Sequence, residues 1–357
     1  MRLRVLDFGT VSPLRSQAVY HGVAEALARD DDPVLTLVSP DAPYVCVGLH
    51  QEIALEVDEA WCRAHGLPVI RRHVGGGAVL LDSDQLFFHF IFPRHQVPGQ
   101  VLEIYPRFIE PVVRTYQALG VDARFRPIND IHVRGRKIGG TGAAHIGEAV
   151  VMVGSFLFDF DTETMARCLR VPSEKFRDKL RQGLDDYMTT LCKELGEAPP
   201  RATVQAEFLR QVAATLGVEP ILDEPGGREL AAIERAEREL ADPEWTYQLG
   251  RKFVEMGVKI AADTHLTEAA HKAPGGLLRV QLLAKDGRIA DLLVTGDFTC
   301  WPENGVLRLD ERLRGLPLER EPLLAAVARA YRELELQIPG VEPEDVVTAI
   351  LNAVHRE

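Results

Sequence analysis

Two stretches carry residue types that can work on an anionic ligand. In "RRHVGGGAVLLD" (71–82), Arg71 and Arg72 run into Gly75, Gly76 and Gly77. Adjacent glycines let backbone approach a ligand closely and leave amide N–H groups to donate to its oxygens. Neighbours on a strand face opposite sides, so only one of the two arginines can face a given pocket. In "GRKIGGTG" (135–142), Lys137 stands just before Gly139, Gly140 and Gly142. A lysine beside bare backbone can place a point charge on a phosphate while amides hold the other oxygens. Each feature also has a plainer reading: a tight glycine turn, an exposed hairpin lysine and, for Asn129–Asp130, a turn start. Neither stretch is a common nucleotide fingerprint. The chain contains no GK[ST], and a strand rather than a helix is expected after the three glycines.

The elements that must hold these residues follow from periodicity. "RLRVLDF" (2–8) reads as a strand and 16–30 as a helix with Val19, Val23, Ala24 and Leu27 on one face. "PVLTLVSP", "YVCVGLHQ" and "LPVIRR" read as strands, the last leading into the glycines, with a short helix at "EVDEAWCRAHG". "AVLLD" and "QLFFHFIFP" read as two arms of a hairpin around "SD". A helix is expected over 100–119, then a hairpin "NDIHVRGRKIGGTG" turning near Gly135, a strand "VVMVGSFLFDFD", and helices at 162–170 and 201–216. No βαβ rhythm repeats, so the fold class is α+β with a mixed or antiparallel sheet. Residues 219–242 contain a Pro–Gly–Gly break and a charged helix, which reads as a linker. The expected domains are therefore 1–218, the linker 219–242, and a small α+β domain at 243–357. That last domain has strands near 252–262, 277–286 and 288–296 and helices near 321–335 and 343–355.

The chain has 357 residues, 46% of them hydrophobic, enough for a substantial core. Its net charge of -12 disfavours nucleic acid as a partner. Five cysteines without a CxxC pair, at 46, 62, 168, 192 and 300, argue against a disulfide framework or structural zinc and point to a reducing cytoplasm. No run of ~18 apolar residues appears, so no membrane span is expected.

In this order, "VGLHQE" (47–52), "RRHVGGGAVLLD", "NDIHVRGRKIGGTGAA", "VGSFLFDFD" and "VPSEKF" (171–176) resemble the lipoate–protein ligase A family. "TGDFTCWPENGVLRLDERLRGLP" (295–317) resembles its accessory C-terminal domain, so the likeness covers nearly the whole chain. The family patterns are roughly RRxSGGGxVxHD and NDxxxxxxKxxGxA. The resemblance implies the catalytic fold shared with biotin ligases and a two-step reaction using ATP and Mg²⁺. Lipoate, or a similar short acyl acid, attacks the α-phosphate of ATP to give acyl-AMP and pyrophosphate. A lysine of a lipoyl carrier domain (a 2-oxoacid dehydrogenase E2 or a glycine cleavage H-type protein) then takes the acyl group as an amide. By matched position, Arg72, Gly75, Gly76, Gly77, Ala78, Lys137 and Gly140 would bind the lipoyl-adenylate. Lys137 would be the essential catalytic residue, Asn129 and Asp130 would lie near the nucleotide, and Asp130 near the metal.

Four positions depart from the pattern: Val74 for serine, Leu81 for histidine, Gly142 for alanine and Val153 for histidine. They point to a remodelled acyl pocket. Two rivals follow. An octanoyl- or lipoyl-transferase of the same fold would use a cysteine nucleophile, at 129 or near 172–173. Those positions hold Asn129 and Pro172–Ser173. The other rival is a non-catalytic acyl- or carrier-binding protein.

Overall fold

A computed structural model describes residues 1–249 and 264–354. They divide into two compact units. Unit 1 comprises Met1–Val47, Ala54–His73 and Ala78–Thr246, and unit 2 comprises Gly48–Ile53, Val74–Gly77 and Tyr247–Glu357.

Unit 1 contains strands β1 (Arg2–Val11), β2 (Val34–Pro40), β3 (Tyr44–Val47), β4 (Val69–Arg71), β5 (Val79–Leu81), β6 (Gln85–Pro93), β7 (Ala123–Arg126), β8 (Asp130–Val133), β9 (Arg136–Ile146), β10 (Ala149–Leu157) and β11 (Glu219–Asp223). Eight form one sheet in the order β11-β1-β2-β6-β10-β9-β8-β7. β1 runs parallel to both its neighbours, and the remaining pairs are antiparallel. A second sheet, β4-β3-β5, has three strands. This is the mixed α+β architecture that the element order predicts.

Strand β6 shows why the large sheet is stable. All nine of its residues are buried, as a strand covered on both faces requires. Phe88, Phe90 and Phe92 point one way, toward Phe108 of the helix Val101–Ala118 and Phe208 of the helix Arg201–Leu216. Their ring centroids pair at 4.9–5.8 Å. Phe87 and His89 point the other way, where Tyr20 of the helix Pro13–Ala26 lies 5.1 Å from the His89 ring. Alternation on one strand thus builds both halves of the core.

Two expectations fail. β5 and β6 do not pair as a hairpin: β5 joins β3, whereas β6 lies between β2 and β10. Residues 219–242, read as a linker, belong to unit 1. β11 pairs with β1 from Arg2↔Glu219 to Leu6↔Asp223. The helix Gly227–Leu240 buries Ala232, Ile233, Ala236 and Leu240. It packs so closely on the first helix that a Cβ at Gly22 would lie 2.4 Å from the Ile233 nitrogen. Of its charged residues only Glu229 is buried, paired with Arg4 at 2.6 Å. The helix Glu174–Tyr187 was not anticipated.

Unit 2 has an antiparallel sheet of β12 (Thr264–Ala273), β13 (Gly276–Lys285) and β14 (Arg288–Gly296), with helices Gly305–Leu313, Arg320–Glu333 and Pro343–Val354. Leu278, Val280, Leu292, Leu309, Val327 and Ile350 are among its core residues. The strand expected near 252–262 lies outside the described residues. No helix among those described is long and apolar enough to cross a membrane.

Candidate functional site

In unit 1 the β8–β9 hairpin collects the polar residues. Its two-residue turn is Arg134–Gly135, with φ of 48° and 83°. Two successive positive φ values suit the right-handed twist of a hairpin. Past the turn the ladder shifts: His132 faces Lys137, but Ile131 faces Gly139 and Asp130 faces Gly140. Ile138 is thus an extra residue on β9. Such a bulge bends the strand and re-aims its side chains. Lys137 Nζ lies 2.7 Å from Asp130 Oδ1. A Cβ at Gly140 would sit 3.0 Å from both Cε and Nζ of Lys137. The glycine leaves the space that the lysine crosses to reach its partner.

The turn end of β9 is fixed from outside the sheet. Thr189 N–H donates to the Lys137 carbonyl at 2.9 Å. This ties the lysine backbone to the end of the Glu174–Tyr187 helix. Tyr187 Oη is 3.3 Å from His132 Nε2 and accepts from Arg126 Nη1 at 3.3 Å. His132 Nε2 is 3.7 Å from Asp130 Oδ2. Asp130 therefore stands between a lysine and a histidine, with Arg126 opposite it on β7. One carboxylate among these groups leaves a local excess of donors and positive charge, a setting suited to phosphate. Asn129 is held within the hairpin: its Nδ2 donates to the Thr141 carbonyl, and Thr141 N–H and Oγ1 donate to the Asn129 carbonyl at 3.0 and 2.9 Å.

Sequence reasoning missed Arg126, His132 and Tyr187. His132 was detectable, being two residues from Asp130 on a strand and so on the same face. Tyr187 had no local signal, because it arrives through the fold.

The two arginines separate as strand alternation requires. Arg71 is fully buried; its Nε donates to the Thr246 carbonyl at 2.8 Å, and Trp245 Nε1 donates to the Arg71 carbonyl at 2.9 Å. Arg72 is half-buried and donates from Nη1 to the Cys46 carbonyl at 3.1 Å. Ala78 is also half-buried. Burial raises the Asp82 carboxyl above its ordinary range. Gly142 and Val153, two of the departures, are direct cross-strand partners, so those two changes fall at one place on the sheet.

Gly75–Gly77 belong to unit 2. The amide of Gly76 is engaged: it donates to the Phe298 carbonyl at 3.1 Å. A Cβ at Gly75 would lie 2.3 Å from the Phe298 oxygen, and one at Gly48 would lie 1.9 Å from the Gly76 oxygen. Gly76 itself has φ 94°. Leu49 N–H donates to the Val74 carbonyl at 3.1 Å, and Gly296 N–H to the His50 carbonyl at 2.8 Å. Gly75 and Gly48 are small because backbone segments cross there.

The five cysteines carry no disulfide, and four are buried. Burial pushes the Cys46 thiol up, against the opposing effect of Arg72, and the Cys300 thiol up to about 12. The hydrogen bond between Cys62 and Cys168 lowers the first thiol and raises the second. Cys62 is nonetheless 1% exposed. Cys192 alone is partly exposed.

The family described as "Lipoyl protein ligase A/B catalytic domain" matches residues 12–213. The octanoyltransferase LipM of Kyrpidia tusciae is 32% identical over 276 residues, covering 69% of this chain and 98% of that protein. The lipoate–protein ligase of Streptococcus pyogenes is 25% identical over 317 residues, covering 85% and 86%. Among solved structures, the bipartite lipoate protein ligase of Thermoplasma acidophilum aligns with a TM-score of 0.64 at 24% identity, covering 69% of this chain and 96% of that one. LipL1 of P. falciparum, in complex with lipoate, aligns with a TM-score of 0.69 at 15% identity, covering 98% and 99%. At these identities the two structures establish a shared fold.

Proposed function

This chain belongs to the lipoyl protein ligase A/B catalytic family, and within it we propose an ATP-dependent lipoate–protein ligase. The family activity is lipoate or octanoate transfer or ligation to a carrier protein. The proposed reaction activates lipoate or a related short acid as acyl-AMP and passes it to a lysine of a lipoyl carrier domain. We assign the enzyme to the cytoplasm, in line with five unpaired thiols.

The observation that carries the ligase reading is the state of the cysteines and of position 129. A transferase of this fold needs a reactive thiolate beside a cation or helix N-terminus. Position 129 instead holds an asparagine tied to Thr141, and four of the five thiols are buried. Without a covalent acyl-enzyme, the acyl group must be activated by another means, and adenylation provides it.

Lys137 is assigned the central role. As charge builds on the α-phosphate, an ammonium already positioned for it stabilises the transition state without reorganising at the moment of reaction. The Asp130 pair holds that ammonium in place before substrate arrives. Arg126 is an additional cation for phosphate oxygens, and Arg72 and Ala78 are assigned to the acyl-adenylate as the family motif implies. Asp130 is the carboxylate that would hold Mg²⁺. One protein carboxylate together with the nucleotide's own phosphates is an ordinary ligand set for this ion. Mg²⁺, when bound, would neutralise charge on the departing pyrophosphate. Gly75–Gly77 remain assigned to adenylate binding, although Gly76 N–H is already engaged.

A transferase is the second reading, because the 32%-identical relative is named an octanoyltransferase. One experiment separates the two. A lipoyl carrier domain is incubated with the protein, ATP, Mg²⁺ and a panel of short acids, and its mass is measured. A parallel arm offers octanoyl-carrier thioester without ATP. The ligase acylates only in the first arm. Acylation in the second arm that disappears with a single Cys→Ser change replaces the ligase with the transferase.

A further inference from the structure

We propose that unit 1 contains a structural site for a divalent transition metal of the zinc class, formed by His21, His73 and Glu239. This does not rest on the ligase reading. The three residues come from separate places: the first helix, the segment after β4, and the Gly227–Leu240 helix. One ligand atom from each lies within 4.8 Å of the others.

The geometry is close to what such an ion requires. His73 Nε2 is 3.9 Å from Glu239 Oε1, and His21 Nε2 is 4.0 Å from Glu239 Oε2. Glu25, one helical turn beyond His21, places Oε1 3.3 Å from His21 Nε2, outside the three-residue cluster. Tetrahedral zinc with bonds near 2.0 Å separates its ligand atoms by about 3.3 Å. A contraction of roughly half an ångström, available to the half-exposed Glu239, brings its carboxylate to that spacing from the histidines. Two imidazoles and carboxylate oxygen suit zinc, cobalt or nickel better than magnesium.

To share one ion the imidazoles must turn out of a stack, because each lone pair lies in its ring plane and two histidine ligands of a tetrahedral ion keep their ring centroids roughly 5 Å apart. Both histidines are 5% exposed. Their rings stack at 3.6 Å with 20° between planes, and Trp245 covers His73 at 4.1 Å. The charge balance favours a cation: Glu25 and Glu239 both face the pair, while exposed Arg235 reaches Glu25 at 3.8 Å. A bound ion would join the two packed helices to the end of the "RRH" segment.

The test uses the full chain stripped with a chelator, with Co²⁺ as the probe. The expected result is a ligand-field absorption band that saturates at one equivalent and is displaced by Zn²⁺. Zn²⁺ at a hundredfold excess over Kd should raise Tm by roughly 5 °C. His21→Gln, His73→Gln and Glu239→Gln should each weaken Co²⁺ binding at least tenfold, and Lys137→Ala should bind as the parent does. Glu239 lies on the outer side of the cluster, so its variant decides the matter if the histidine variants misfold. No saturable band at one equivalent overturns the proposal. So does unchanged binding in folded Glu239→Gln, or loss of binding in Lys137→Ala.

Discussion

The two glycine-rich stretches look alike in sequence and do different work. In unit 1, Gly140 clears room for a side chain: the atoms that an added Cβ would meet first are the flexible end of Lys137. In unit 2, Gly75 and Gly48 clear room for backbone: the nearest atoms are the Phe298 and Gly76 carbonyl oxygens. A run of glycines announces close approach without saying what approaches. A methyl group at one site displaces a mobile ammonium, whereas at the other it pushes on chain that cannot yield cheaply.

The comparison breaks first at the lysine. Lys137→Ala should reduce ATP–pyrophosphate exchange by about 10²–10³, equivalent to about 3–4 kcal/mol of transition-state stabilisation. Thermal unfolding should be nearly unchanged, because the side chain is partly exposed. Near-normal exchange would remove Lys137 from its assigned role. Gly75→Ala should also cost stability, with overpacking of roughly 1–3 kcal/mol. Hydrogen exchange should rise at residues 48–53 and 297–299 and stay constant in β8 and β9. An unperturbed pattern would mean that the crossing relaxes easily. Gly140→Ala sharpens the contrast: exchange should fall about tenfold, about 1.4 kcal/mol, with Tm preserved. A Tm loss matching that of Gly75→Ala would erase the distinction.

The smallest effect near neutral pH is an acid response belonging to unit 1. Burial lowers the His89 imidazole to about 3, while its ring Nδ1 lies 2.6 Å from Thr36 Oγ1. The unfolded chain, titrating near 6.5, takes up this proton before the folded chain does. Stability is therefore complete above about pH 6.5 and declines as pH falls toward the folded value. The loss should be about 1 kcal/mol by pH 6 and about 1.4 kcal/mol per further pH unit. Urea unfolding of the parent and His89→Gln across this range checks the slope. Equal slopes would assign the acid response to other groups.

What was legible in the sequence follows from how local its cause is. The β8–β9 hairpin was readable because Arg134–Gly135 sets a turn between alternating arms. The helix Arg201–Leu216 begins and ends where its apolar spacing does. The β5–β6 hairpin was misread because alternation reports a strand's faces but not its partner. The 219–242 stretch was misread because counting charge obscured Ala232, Ile233, Ala236 and Leu240 at helical spacing. At the candidate site, Asp130 and Lys137 were found by motif. The reason for Gly140, the bulge at Ile138 and the arrival of Tyr187 required coordinates.

The pairing of β1 with β11 also sets a schedule. The partner of Arg2, Glu219, leaves the ribosome more than two hundred residues after it. Pairings so distant in sequence make folding slow, because a long loop must be ordered before the contact rewards it. Until β11 appears, the outer edge of β1 presents unpaired amides and carbonyls, a template for strands from other nascent chains. Synthesis halted after residue 218 would leave that edge open. The stretch of chain between β1 and β11 therefore sets the interval during which that edge stays open to wrong pairing.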